Sequence, residues 1–169
     1  MKLQFKLFYK PSLLIWLKKM FSHAENKKWY TTYHAFDIHG VISKPDYRKS
    51  FKINYYPYAK ETLQFLTKNR PDMVLFLFTS SYKDEIEKYI ELFEKDGIKF
   101  KYVNENPEIS SAKGSFGFYD KKPYFNSYWE DKAGFRPHLD WKPLFKYFKK
   151  CKYKPNPNWD MKYKENYHA

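Results

Sequence analysis

The chain of 169 residues is long enough for one domain with a substantial core and too short for two ordinary domains joined by a linker. Hydrophobic residues at 43% and aromatics at 22%, with 17 Tyr and 16 Phe, exclude a disordered composition. A formal charge of +13 sets up a positive field that concentrates anions, whether phosphates, nucleic acid or acidic lipid, and it is equally the mark of a solvated lysine surface.

Residues 1–28 make a basic amphipathic N-terminal segment. In "MKLQFKLFYKPSLLIWLKKMF" the longest apolar run, "LLIWL", falls far short of the ~20 residues that span a bilayer, so no transmembrane segment and no secretion are expected. From "KPS" onward, Leu13, Leu14, Trp16, Leu17, Met20 and Phe21 share one helical face. Such a face docks on its own domain or on a partner in preference to a membrane surface.

Residues 29–150 carry the pattern of one α/β domain. "WYTTYHAFD" (Trp29 to Asp37) is aromatic and β-branched, as a strand is, and a glycine turn follows. In "YPYAKETLQFL", Ala59, Thr62, Leu63 and Leu66 have helical spacing behind Pro57. "MVLFLF" (Met73 to Phe78) is continuously apolar, as expected of a strand covered on both faces in a parallel sheet, and Thr79 and Ser80 follow it. The next helix opens with Ser81 and Asp84 in capping-box spacing, carries Ile86, Tyr89, Ile90 and Phe93 on one face, and stops at Asp96-Gly97.

"IKFKYV" is a further strand, and Asn104 to Lys122 is irregular. "YFNSYW" then leads into Glu130-Asp131, and "WKPLFKYFKK" is a last helix. Residues 151–169 form a lysine-rich extended tail. It holds the single cysteine, Cys151, which excludes an internal disulfide and a cysteine zinc site and fits a cytoplasmic or other reducing compartment. The five histidines show no paired spacing for a metal.

Strands alternating with helices imply a parallel sheet, whose ligands bind beyond the carboxyl ends of the strands. Asp37, Thr79 and Asp131 each follow an apolar strand and would gather on that edge. There a carboxylate can attack phosphorus, a hydroxyl can hold a phosphate oxygen, and a second carboxylate can help to bind magnesium.

At these residues the sequence resembles the haloacid dehalogenase superfamily, with "FDIHGVI", "VLFLFTSS", Lys121 or Lys122, and "YWEDKAGF" standing where its four motifs would. The likeness covers Trp29 to about Phe148. It implies a three-layer α/β/α Rossmann-like parallel sheet without a substantial cap domain, and a magnesium-dependent phosphohydrolase acting through an aspartyl-phosphate. By the resemblance, Asp37 is nucleophile and metal ligand, Thr79 and Ser80 with Gly40 bind the phosphate, and Lys122 balances charge. Asp131 is the other carboxylate on magnesium. His39 stands where the family has a second aspartate, whose backbone carbonyl binds the metal and whose side chain moves protons.

Three roles for His39 stay open: an alternative acid/base, a residue of a site kept for binding alone, or a structural side chain. An unperturbed imidazole titrates near ~6.5, in range for proton transfer, provided that a partner holds one ring nitrogen. Glu130 is a candidate to orient the lysine or to serve as a further acid. An open, basic mouth suits a nucleotide or polynucleotide phosphate, with His34, Lys44, Arg48, Tyr55, Tyr56 and Tyr58 close enough in sequence to line it. The competing expectation is a catalytically reduced subunit that holds a protein partner through its terminal arms.

Overall fold

The computed structural model describes residues 2–45, 52–109 and 122–159, with side chains in the first helix from residue 13 onward. Four helices and four strands follow in the order α1 (Lys2–Asn26), β1 (Thr32–Phe36), α2 (Ala59–Asn69), β2 (Met73–Leu77), α3 (Lys83–Lys95), β3 (Tyr102–Val103), β4 (Ser127–Trp129) and α4 (Pro137–Lys150). The strands form one parallel sheet in the order β3-β2-β1-β4, an α/β fold of Rossmann-like character.

Right-handed crossovers dictate the layers. The steps from β1 to β2 and from β2 to β3 run in one direction, which puts α2 and α3 on the same face. The return past β1 to β4 reverses direction, and that connection covers the opposite face. The core records this division. Phe36, Met73, Leu75, Leu77 and Trp129 pack against the helices through Leu63, Phe93, Trp141 and Leu144. Tyr33, Ala35 and Phe76 meet Ile109, Tyr124 and Phe125 of the returning connection instead. Alternation of side chains along β1 and β2 therefore buries both faces, as the unbroken apolar run of β2 requires.

Several element ends differ from the sequence expectation for local reasons. Hydrogen-bonded pairing in β1 spans only Thr32–Phe36, because the Trp29 amide is drawn back to Ala24 O at the end of α1 (2.9 Å). In "IKFKYV" the strand itself is Tyr102–Val103, with the Lys101 amide already donating to Leu75 O (2.7 Å), because the Ile98 amide closes the end of α3 on Phe93 O (2.8 Å). Helix α3 is capped at Tyr82 rather than Ser81: the Tyr82 amide donates to Glu85 Oε2 (3.2 Å), while the Ser81 hydroxyl pairs with Thr79 Oγ1 (3.2 Å). Helix α4 begins at Pro137, whose missing N–H costs nothing in a first turn.

Helix α1 docks on its own domain. Leu17, Phe21 and Ala24 are buried, with Leu13, Leu14 and Met20 against the same core. Trp16 keeps 39% exposure and meets Trp129 edge-on at 5.7 Å. The start of the C-terminal tail also lies along the domain, since the Tyr153 ring meets Phe21 at a 33° tilt (4.9 Å) and lies under the Arg70 guanidinium at 5.9 Å. Among the described residues no helix is long and apolar enough to cross a membrane.

Candidate active site

Register makes the site. Phe36 pairs with Leu77 on one side and Trp129 on the other, and Leu77 pairs with Val103, so all four strands end at one level. The next residue on each strand, Asp37, Phe78, Asn104 and Glu130, stands in a row along the carboxyl edge. All four line a cleft of ≈ 480 Å³, together with Thr79, Ser80, Tyr128 and Lys132. The cleft lies where strand order reverses between β1 and β4, the place where open α/β sheets bind their ligands.

Side-chain alternation decides which acid shares this cleft with Asp37. Glu130 falls on the face of Tyr128, whose hydroxyl donates to Glu130 Oε2 at 3.0 Å. Asp131 falls one place further on and does not line the cleft; its Oδ1 accepts the Lys132 amide at 2.8 Å. Its carboxylate rests against Gly40, where an added Cβ would sit 2.6 Å from Asp131 Oδ2. Burial, the Asp131 carboxyl beside it and the charge of Asp37 together push the Glu130 carboxyl above its ordinary range. The Tyr128 phenol is likewise raised, by burial first and then by Glu130, Asp37 and Asp131.

Asp37 and Glu130 thus share the cleft, with Asp131 beside Glu130 but outside the lining, and a divalent cation would relieve the repulsion among these carboxyl groups. Magnesium takes oxygen ligands and characteristically binds through one or two carboxylates while keeping several waters. Asp37 and Glu130 are oxygen donors of that type lining one cleft, and the described residues contain no ready-made group of three His, Cys, Asp or Glu side chains in metal-holding geometry.

The turn after β1 is tight. The Ile42 and Ser43 amides both donate to Ile38 O, at 3.0 and 2.8 Å, and Ile38 N–H holds Asp37 Oδ1 at 2.8 Å. Gly40 adopts φ +80°, and its amide donates to Ser43 O at 2.9 Å. Expected to bind phosphate, Gly40 instead spends its N–H inside the turn, and its lack of a side chain gives Asp131 room. His39 is half-buried and outside the cleft lining. Its Nε2 pairs with the Tyr89 hydroxyl of α3 at 2.9 Å, with the rings edge to face at 5.4 Å.

Among the described residues the cation in the cleft is Lys132, whereas Lys122 is exposed and does not line it. Lys121 and Arg48 lie outside the described residues. His34 is not at the mouth: it is fully buried in β1 between Ser127 Oγ (2.6 Å) and Thr32 Oγ1 (2.9 Å). The three tyrosines are engaged elsewhere, Tyr55 with Asp96 (2.8 Å), Tyr56 edge-on to His138 (4.7 Å) and Tyr58 beside Phe145 (6.0 Å). Lys44 is exposed and apart from the cleft. Sequence reasoning missed Asn104, Tyr128 and Lys132 as lining residues. The signal available for Asn104 was its place as the first residue beyond a β-rich run.

No family model matches this chain, and no curated protein matches it. A solved structure of a conserved protein from Bacteroides thetaiotaomicron is similar, with 22% identity over 73% of this chain and 93% of that chain and a TM-score of 0.51. At that identity the likeness establishes the fold, a Rossmann-like α/β sheet, and nothing finer.

Proposed function

We propose that this chain is a magnesium-dependent phosphohydrolase of the haloacid dehalogenase type, acting through an aspartyl-phosphate on nucleotide or polynucleotide phosphate. The observation that carries the proposal is the single row of strand ends, which gives a carboxylate, two hydroxyls and a lysine one shared cleft. Ile38 N–H holds Asp37 Oδ1, so Oδ2 is the oxygen that attacks phosphorus. That attack forms the P–O bond to Asp37, breaks the bond from phosphorus to the alcohol oxygen, and expels that oxygen, which takes up a proton from water. Water then cleaves the acyl phosphate, returning the carboxylate and inorganic phosphate. The Thr79 and Ser80 hydroxyls and the Lys132 ammonium stabilise charge on the transferring group, the place where fixed donors act most strongly. Magnesium held by Asp37 and the Glu130–Asp131 pair would neutralise phosphate charge. The connections after Val41 and Val103 are too short for an independently folded cap, which leaves room for a bulky substrate.

One observation favours a second interpretation, a binding or structural subunit without turnover. The His39 ring is committed to Tyr89 and does not line the cleft, so proton transfer to the leaving group has no evident donor at that position. Hydrolysis of p-nitrophenyl phosphate with magnesium separates the two. A hydrolase turns it over and loses activity on Asp37→Asn. Absence of turnover on this and a panel of nucleotide phosphates, by protein that is folded and binds phosphate, points to the subunit.

A further inference from the structure

Asn104 is the first residue beyond β3, and its carboxamide spans to the backbone of Thr79. Its Oδ1 accepts the Thr79 N–H at 2.8 Å and its Nδ2 donates to Thr79 O at 2.9 Å. The Asn104 amide itself donates to Leu77 O at 2.8 Å, the last backbone rung between β2 and β3. Beyond that rung the side chain replaces a strand partner: one carboxamide satisfies both backbone groups of Thr79, which would otherwise need water or another strand. The two contacts also fix which end of the amide is which, since a backbone N–H needs an acceptor and a backbone C=O a donor.

Local conformation suits the residue. Asn104 has φ +56°, in the left-handed region that asparagine tolerates better than other side-chain-bearing residues. Thr79, so held, presents its hydroxyl to a network with Ser81, whose Oγ lies 3.2 Å and whose amide 3.4 Å from Thr79 Oγ1. Thr79, Ser80 and Asn104 all line the cleft. Because Asn104 takes the Thr79 N–H, that amide is committed, and the hydroxyl is the donor Thr79 keeps for an anion in the cleft.

We infer that Asn104 is the positioning residue of the phosphate site: it locks the Thr79 backbone so that the Thr79 hydroxyl, rather than the Thr79 amide, receives a phosphate oxygen. The inference rests on the phosphate-binding part of the proposal above and not on turnover.

Isothermal titration with inorganic phosphate at physiological salt tests it. Asn104→Gly keeps the left-handed backbone at no cost while removing the carboxamide, and Thr79→Val removes the hydroxyl. The expected result is phosphate binding by the wild-type chain, weakened about tenfold by either substitution, with the double variant no weaker than Thr79→Val by more than about twofold, as coupled neighbours behave. Asn104→Asp, which keeps an acceptor for the Thr79 amide and loses the donor, should bind phosphate more weakly still. The inference is overturned if Asn104→Gly binds phosphate like the wild type, or if it weakens binding equally with and without the Thr79 hydroxyl. It also falls if the folded wild-type chain binds no phosphate. Phosphate binding with the expected coupling but without turnover would defeat the hydrolase proposal and leave the role of Asn104 standing.

Discussion

Gly40 and Asp131 touch: a Cβ at Gly40 would lie 2.6 Å from Oδ2 and 2.9 Å from Cγ of the Asp131 carboxyl. This contact ties the turn after β1 to the acidic pair after β4, so one substitution should disturb both. Gly97 (φ +72°) and Gly134 (φ +100°) provide controls, because a Cβ there meets nothing within 4 Å. Gly97→Ala and Gly134→Ala should cost about 1 kcal/mol of backbone strain, and Gly40→Ala about 2–4 kcal/mol with weaker magnesium binding. Urea unfolding and magnesium titration check this, and equal losses at all three glycines would contradict it.

His34 should make stability depend on pH. Thr32 Oγ1 gives its proton to Asp72 O at 3.3 Å and therefore accepts from His34 Nε2–H, while Ser127 donates to Nδ1, leaving a neutral ring with no place for a second proton. Burial, and secondarily the charge of Arg70, lowers its pKa to about 3. The unfolded chain, near the ordinary 6.5, binds a proton that the folded chain refuses. The His34 contribution is thus full above that value and falls with pH down towards 3, by about 2 kcal/mol between pH 6.5 and 5. His34→Gln should flatten this slope in denaturant titrations at several pH values; an unchanged slope would contradict it.

Asp140 acts in the opposite sense. It is 2% exposed, its Oδ2 accepts the Arg136 amide at 2.7 Å, and its Oδ1 has no hydrogen-bond partner among the described residues. Burial, against that amide bond, raises its pKa from 3.8 to about 6. Here the folded chain holds the proton more tightly, so this contribution is present at low pH and lost as pH rises through about 6. Asp140→Asn should stabilise the protein at pH 7 by about 1–2 kcal/mol, with the gain vanishing near pH 4. In the wild type this slope offsets that of His34 where the two windows overlap, from about pH 6 down to 3.8, so the variant should also steepen the acid-side loss.

His39 is the position where the chain departs from the pattern it resembles. Because its Nε2 is held by Tyr89 and the ring lies outside the cleft, protonation of the leaving oxygen should limit turnover of substrates with poor leaving groups. His39→Asp is expected to raise kcat on an alkyl phosphate by about tenfold or more and to change little on p-nitrophenyl phosphate, which leaves without a proton. Steady-state kinetics on the two substrates would contradict this if neither rate, or both equally, responded.

The strand ends were legible because apolar runs announce where a strand stops, which is why Asp37, Thr79 and Asp131, the second of an acidic pair with Glu130, could be assigned to one edge. Which residue of that acidic pair enters the cleft was not legible. It depends on the parity of β4 against β1, set by the register of Phe36 with Trp129. The same holds for His34, three places before Asp37 but pointing to the helix side and buried. Lys132 was hidden because motif order favoured a lysine before β4, whereas among the described residues the lysine lining the cleft comes from the turn after Trp129. Tyr89 was legible as a core residue of α3, and its hydroxyl as the partner of His39 was not, since that contact joins elements 50 residues apart.

The central claim is that Asp37 Oδ2 takes a phosphoryl group within the cleft that it shares with Thr79 and Lys132. Mass spectrometry of protein quenched in acid during turnover of p-nitrophenyl phosphate with magnesium addresses it directly. A hydroxylamine-labile phosphoryl group on the peptide carrying Asp37, absent from Asp37→Asn, is the predicted result. Turnover that continues undiminished in Asp37→Asn, or a phosphoryl group found on another residue, would contradict it.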